Sequence, residues 1–188
     1  MVLFPLMLKL AGRKCVVVGA GRVARAKTKG LLDCGAQVTV VSPKAERQIR
    51  AAAETGQLVW RRKLFSRRDL TGAFLVIAAT DSPTINSTVF RSCQARNILC
   101  NSVDDPEHFD FYYPAVVRRG PLLISVSTTG NSPALAARLR RQLARQFGPE
   151  WATLVEQVSK RRQEILKAKP GTRRKHLLDR YVVNLPLK

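Results

Sequence analysis

The chain has little cysteine, little histidine and few aromatic residues, and each scarcity narrows what it can be. Its four cysteines, Cys15, Cys34, Cys93 and Cys100, make no C-x-x-C pair, so a structural zinc has no ligand spacing to use. Cys15 and Cys100 fall in apolar runs, where a small buried thiol is the expected state, as in a protein of a reducing cytoplasm. No apolar run approaches the ~20 residues that cross a bilayer. The opening MVLFPLMLKL is short and lacks the basic start and small-residue cleavage site of a secretory signal; it reads as a first edge strand. Internal repeats and low-complexity tracts are missing from the sequence too. Acids are scarce: 13 Asp and Glu stand against 33 Lys and Arg, a formal net charge of +20. The part from Val117 onward carries +12 and the part before it +8, so the excess leans toward the C-terminus. Such a field suits a nucleic acid, an anionic membrane surface or a polyanionic small molecule.

What is present begins with KCVVVGAGRVARAK, Lys14 to Lys27. Val16, Val17 and Val18 are an unbroken β-branched run, as in a parallel strand covered on both faces. Gly19, Gly21 and Ala24 then fit G-x-G-x-x-A: a tight turn, close approach to a pyrophosphate, and tight packing of the next helix. A helix opening at Arg22 and Val23 would aim free N–H groups and its positive dipole end at the phosphates. The bland reading is a glycine turn with no ligand; the strand before and the helix after it favour a nucleotide. The second strand, Gln37 to Val41, ends in Ser42-Pro43-Lys44, without the Asp or Glu that would bond an NAD ribose. Lys44 and Arg47 would neutralise an NADP 2′-phosphate, whereas Ser42 would bond a ribose hydroxyl, so the residues alone leave the coenzyme open.

The alternation of strand and helix continues. A helix is predicted from about Ala45 to Thr55, a strand over Leu58 to Arg61, a loop over Phe65 to Leu70, and a buried strand over Phe74 to Ala79. Ser82 as N-cap and Pro83 open a helix to about Arg96, and Leu99 to Val103 is the fifth strand, with Asp104 directly after it. Ligands of open parallel sheets bind beyond the strands' carboxyl ends, so Gly19 to Val23, Ser42, Thr80 and Asp104 are expected along one rim. From Asp105 the pattern changes to a hairpin, Tyr112 to Val117 and Leu122 to Ser127, turning at Gly120-Pro121. A helix capped by Ser132 carries Leu135, Leu139, Leu143 and Phe147 at four-residue spacing; another spans about Glu150 to Ala168, and a short basic tail helix follows. These later elements are too few to enclose a core of their own, which predicts a two-fold subunit interface.

Five segments together, VVVGAGRVARAK, VTVVSP, FLVIAATDSPTIN, CNSVDDPEHFDFYYPAVVRRG and ISVSTTGNSPALAARLR, resemble one family over roughly Phe4 to Phe147. It is the NAD-dependent precorrin-2 dehydrogenases, some of them also sirohydrochlorin ferrochelatases, which form the N-terminal part of siroheme synthases. The resemblance implies an α/β fold with a Rossmann-type parallel sheet over 1–113, a dimerisation region over 114–147 and a small helical C-terminal domain over 148–188. It implies a homodimer, NAD as cofactor despite the missing strand-end acid, and the stand-alone form without a methyltransferase domain. Gly19, Gly21, Arg22, Val23, Ser42, Pro43, Lys44 and Thr80 are then the cofactor-binding candidates.

An octacarboxylate substrate such as precorrin-2 would account for the charge, and Arg118, Arg119, Arg138 and Arg141 are candidate partners for it, with Asn101 and Thr128 as neutral donors. Asn131 and Ser132 read better as helix caps. The family's key acid maps onto Asp104. A carboxylate there would accept the proton released as hydride leaves the macrocycle, and would pass Fe²⁺ or Co²⁺ to the pyrrole nitrogens if the chain is a chelatase. The competing account is that Asp104 and Asp105 only shape the turn before Pro106. His108 reads as a solvated loop histidine rather than a ligand. A second hypothesis is an NAD(H)-sensing protein whose basic C-terminal region binds nucleic acid. It lacks a winged-helix or zinc-finger pattern, and few aromatics interleave the basic runs.

Overall fold

The computed structural model describes residues 3–103, 105, 107–168, 180, 181 and 183. The chain divides into two compact units, 1–112 and 113–188.

The first unit is a five-stranded parallel sheet built from β1 (Lys14–Val18), β2 (Gln37–Val41), β3 (Val59–Arg61), β4 (Leu75–Ala78) and β5 (Leu99–Ser102). The strand order is β3-β2-β1-β4-β5, which reverses direction between β1 and β4. Successive side chains of a strand point to opposite faces, and the core divides accordingly. Cys15, Val17, Val38, Val40, Leu75 and Ile77 pack with Leu31 of α1 (Arg22–Asp33) and Ile49 of α2 (Arg47–Glu54). Val16, Val18, Val76, Ala78 and Cys100 pack with Val89 and Cys93 of α3 (Pro83–Gln94). A fully buried aliphatic side chain contributes about 1.5–3 kcal/mol, so helices on both faces are what keep this largely apolar sheet folded. Cys15 and Cys100 are buried as expected, and none of the four cysteines is in a disulfide. Burial, with Cys34 nearby, pushes the Cys15 thiol up to about 11. A hydrogen bond with Cys93 and burial also raise Cys100.

Two expectations change. The opening segment is not an edge strand: residues 3–9 have no strand partner and Phe4 is 84% exposed. Pro5 has no N–H for a ladder, and the outer edge of β5 is taken by the returning chain. There Asn101 bridges Phe109, Asp110 N–H donates to Cys100 O at 2.8 Å, and the Asp110 carboxylate accepts from Cys100 N–H at 2.8 Å. The predicted loop over Phe65 to Leu70 contains a 3₁₀ turn, Arg67–Leu70, closed by reciprocal bonds between Ser66 and Asp69. Asp69 is 1% exposed and lies 2.9 Å from Arg61 Nη1 and 2.7 Å from Lys63 Nζ. Burial works upward on its carboxyl, but Lys63, Ser66 and Arg61 hold it down at about 2.

The second unit pairs β6 (Ala115–Arg119) antiparallel to β7 (Leu122–Val126) across the Gly120-Pro121 turn, where Gly120 has a φ of +53°. The helices α4 (Pro133–Gln146) and α5 (Glu150–Ala168) both contact this hairpin. Ser132 caps α4, accepting from Leu135 N–H at 3.2 Å. Leu135 and Leu139 of the predicted stripe remain 47% and 37% exposed within the chain. The predicted tail helix falls largely outside the described residues.

Candidate functional site

Where the strand order reverses, the carboxyl ends of β1, β2 and β4 open into a cleft of about 660 Å³. The turn after β1 forms its floor. Gly19 N–H donates to Val41 O, Ala79 N–H donates to Val18 O, and the first residue of the glycine motif is thereby pinned between two neighbouring strands. Gly19 has a φ of +103°, and a Cβ there would collide with the Ala79 carbonyl. Gly21 is different: nothing lies within 4 Å of where its Cβ would be. It is the N-cap of α1, with no side-chain cap and no acid in the first turn. The first N–H groups of a helix have no intrahelical acceptor, so Arg22 and Val23 open α1 with donors and positive dipole available to an anion. Ala24, third in the motif, is fully buried where α1 meets the sheet. The open space at Gly21 beside uncapped donors fits the pyrophosphate of a dinucleotide.

The other sequence candidates gather around it. Ser42, Pro43, Lys44 and Thr80 line the same cleft, together with Leu64, Phe65 and Ile85, which give it an apolar wall. Ser42 Oγ donates to Lys44 O at 2.6 Å, and the Trp60 indole donates to Ser42 O at 3.0 Å, fixing the turn after β2. Arg47 is not among the lining residues. Two residues that pattern reasoning passed over belong here. Asn86, 6% exposed, accepts from Thr80 N–H and Oγ1 and donates to Thr80 O, so it holds the turn after β4 from both sides. Its signal lay in TDSPTIN, where a polar residue sits one turn into an apolar helix face. Glu46 lines the cleft as well, five residues beyond the end of β2.

The candidates associated with substrate fall differently. Asp104 lies outside the described residues. Before it, Val103 N–H donates to Ala78 O at 2.9 Å. After it, Asp105 accepts from Glu107 N–H at 3.1 Å, the turn-shaping use expected of it. His108 is not a solvated loop residue: Nδ1 is 2.6 Å from Asp105 Oδ2 and the ring meets Phe90 edge-on at 5.0 Å. The Asp105 carboxyl feels some desolvation, but hydrogen bonds from His108 and Glu107 hold it below the usual carboxylate range. Asn101 donates to Phe111 O at 2.8 Å.

In the second unit, Arg118, Arg138 and Arg141 are exposed. Arg119 has a structural duty as well. Its guanidinium donates to Phe147 O at 2.8 Å and Ala144 O at 3.0 Å, tying the end of α4 to the hairpin. Thr128 Oγ1 bonds both the carbonyl and the N–H of Ser132, a turn-holding role. Asn131 caps no helix and instead donates to Thr128 O and Thr129 Oγ1. Among the described residues no cluster of side chains could hold a resident metal, and no helix is long and apolar enough to cross a membrane.

Comparison with known proteins agrees with this geometry. A family model described as putative NAD(P)-binding matches residues 6–115, and one described as sirohaem biosynthesis protein central matches residues 119–146. A siroheme synthase of Methylococcus capsulatus is 38% identical over 177 residues, 94% of this chain and 37% of the relative. A siroheme synthase of Methylobacillus flagellatus is 43% identical over 139 residues, 74% of this chain and 30% of the relative. The chain thus spans about a third of the length of these curated relatives. A solved structure, described as SirC, precorrin-2 dehydrogenase, is 29% identical and superposes with a TM-score of 0.81, covering 95% of this chain and 88% of that one. Nothing in these likenesses supports the nucleic-acid-binding alternative. With a cleft suited to a nucleotide at the turn of the sheet and the first family model matching more than half of its residues, the chain belongs to the putative NAD(P)-binding family that this model describes.

Proposed function

We propose that the protein oxidises precorrin-2 to sirohydrochlorin with NAD⁺ as the acceptor. The observation that carries this reading is the likeness of 95% of the chain to a precorrin-2 dehydrogenase, in which the coenzyme cleft is one part of the shared fold. In the reaction the macrocycle gives up a hydride and a proton. The nicotinamide, when bound, supplies the hydride acceptor. The Gly19–Val23 turn and start of α1 hold the pyrophosphate, and Ser42, Pro43, Lys44 and Thr80 border the rest of the coenzyme. Asp104 is the base that takes the proton, a role supported by its place in the sequence directly after Val103, which extends the β5 edge.

Arg118 and Arg138, exposed and cationic, serve the substrate carboxylates; Asn101 and Thr128 are candidates of lesser weight, because each already holds a backbone group. Arg119 is of lesser weight for the same reason, since its guanidinium donates to Phe147 O and Ala144 O. Metal chelation, Fe²⁺ or Co²⁺ entering sirohydrochlorin as the pyrrole protons leave, is the finer part of the proposal and rests on Asp104 alone. A homodimer is supported by the apolar Leu135 and Leu139 left open on α4, and is checked by the mass in solution. The reduced state of the four cysteines is in keeping with a cytoplasmic setting.

The test mixes protein, precorrin-2 and NAD⁺ and follows reduced coenzyme by absorbance. Turnover is expected, and Asp104→Ala should lower it by roughly 100-fold or more while NAD⁺ binding persists. Folded protein that yields no reduced coenzyme would refute the dehydrogenase. A second arm adds Fe²⁺ or Co²⁺ to sirohydrochlorin; a metal-free spectrum unchanged by the protein would remove the chelatase.

A further inference from the structure

We propose that Glu46 is the acid that selects the coenzyme, taking the place that pattern reasoning finds empty at the end of β2. In nucleotide-binding sheets of this kind the acid at the tip of the second strand accepts from the ribose 2′-hydroxyl and repels a 2′-phosphate. Here β2 ends at Val41 and is followed by Ser42, Pro43 and Lys44, none of them acidic. The chain then folds back. The Ser42 hydroxyl closes a turn on Lys44 O, and Glu46 N–H donates to Ala20 O at 3.1 Å, inside the glycine motif itself. This bond brings residue 46 against the turn that holds the pyrophosphate, the side of the cleft where a strand-end acid would stand.

The side chain has no competing structural duty on its own helix. Glu46 is the N-cap of α2 by position, with extended backbone, yet its carboxylate caps nothing. It is 35% exposed, lines the cleft, and has Arg25 of α1 at 3.4 Å; Arg25 in turn donates to Gln48 at 3.1 Å. A part-exposed carboxylate at the cleft wall is an acceptor for a ribose hydroxyl pair. Lys44 borders the same cleft and would draw a 2′-phosphate, but the carboxylate two residues on opposes it, and Arg47 does not line the cleft. A carboxylate therefore stands at the ribose end of the site, where it accepts from a 2′-hydroxyl and opposes a 2′-phosphate, and the coenzyme it favours is NAD⁺ over NADP⁺.

This inference rests on the coenzyme reading of the cleft and not on the identity of the tetrapyrrole. The experiment measures Kd for NAD⁺ and for NADP⁺ by calorimetry on the whole chain. Wild-type protein should prefer NAD⁺. Glu46→Gln keeps the shape and removes the charge, and should shift the ratio of the two Kd values toward NADP⁺ by roughly tenfold or more. Glu46→Ala should do the same, with unchanged circular dichroism. If Glu46 served only to hold Arg25, Arg25→Ala would reproduce that shift; the expectation is instead that it leaves the NAD⁺ preference intact or raises it. A ratio unmoved in both Glu46 variants, or matched by Arg25→Ala, overturns the assignment. Wild-type protein that binds neither dinucleotide overturns it together with the coenzyme reading.

Discussion

Gly19 and Gly21 stand two residues apart in one motif, and the structure gives them separate duties. Gly19 is required by the fold: its φ is +103° and a methyl group there would run into the Ala79 carbonyl, backbone that has no room to yield. Gly21 has an ordinary φ of −81° and open space around it. Gly19→Ala should therefore destabilise the protein by about 2 to 4 kcal/mol. Gly21→Ala should leave stability within about 1 kcal/mol and weaken NAD⁺ binding by about tenfold or more. Thermal melts together with calorimetric titration separate the two; a Gly21→Ala protein that binds NAD⁺ normally would show that the space is not the pyrophosphate's. The sequence pattern names both glycines, since G-x-G-x-x-A is local. It does not say which one the fold needs, because the Ala79 carbonyl arrives from 60 residues further along.

At the level of elements, the wall of the cleft formed by Leu64 and Phe65 hangs from a charged anchor. Asp69 is buried under Arg61 and Lys63 and capped by Ser66, with its carboxyl held at about 2 against an ordinary 3.8. A lowered folded-state value contributes stability that is complete above the unfolded value and lost as pH falls through the folded one. The contribution is about 2 kcal/mol, present at neutral pH and lost between about pH 4 and pH 2. Urea unfolding at pH 5 and pH 2 should show a steeper acid loss in wild type than in Asp69→Asn. Equal losses would mean that the anchor contributes nothing. The Ser66-x-x-Asp69 spacing was readable as a capping box, yet the region reads as a loop, because its two cationic partners sit on β3 and just beyond it. By contrast β2 and α5 are legible to the residue and β1 in its Val16–Val18 run, their apolar runs and glycine or proline stops being local signals. The opening apolar segment misleads for the opposite reason. It has strand-like composition, but residues 3–9 pair with no strand, and Pro5 supplies no N–H for a ladder. Glu46 escapes notice too: the fingerprint places its acid at the strand tip, and only the bond from Glu46 N–H to Ala20 O brings a later residue there.

For the whole molecule, charge is the property that no single element explains. The +20 exceeds anything the ion pairs need, and the described salt bridges engage few of the 33 Lys and Arg. A single exposed pair contributes little, so this excess does not serve stability. Its physical consequence is a long-range field that raises the encounter rate of anions. NAD⁺ carries little net charge and is held by main-chain donors at α1, whereas an octacarboxylate tetrapyrrole would feel the whole field. The two should separate under salt. Raising ionic strength from 0.01 M to 0.15 M shortens the Debye length from about 30 Å to about 8 Å. With saturating NAD⁺, kcat/KM for precorrin-2 should then fall by roughly tenfold or more, while kcat and the Kd of NAD⁺ change little. Arg118→Ala and Arg138→Ala should each flatten that salt dependence in part. A kcat/KM indifferent to salt would mean that the arginine excess steers something other than the substrate.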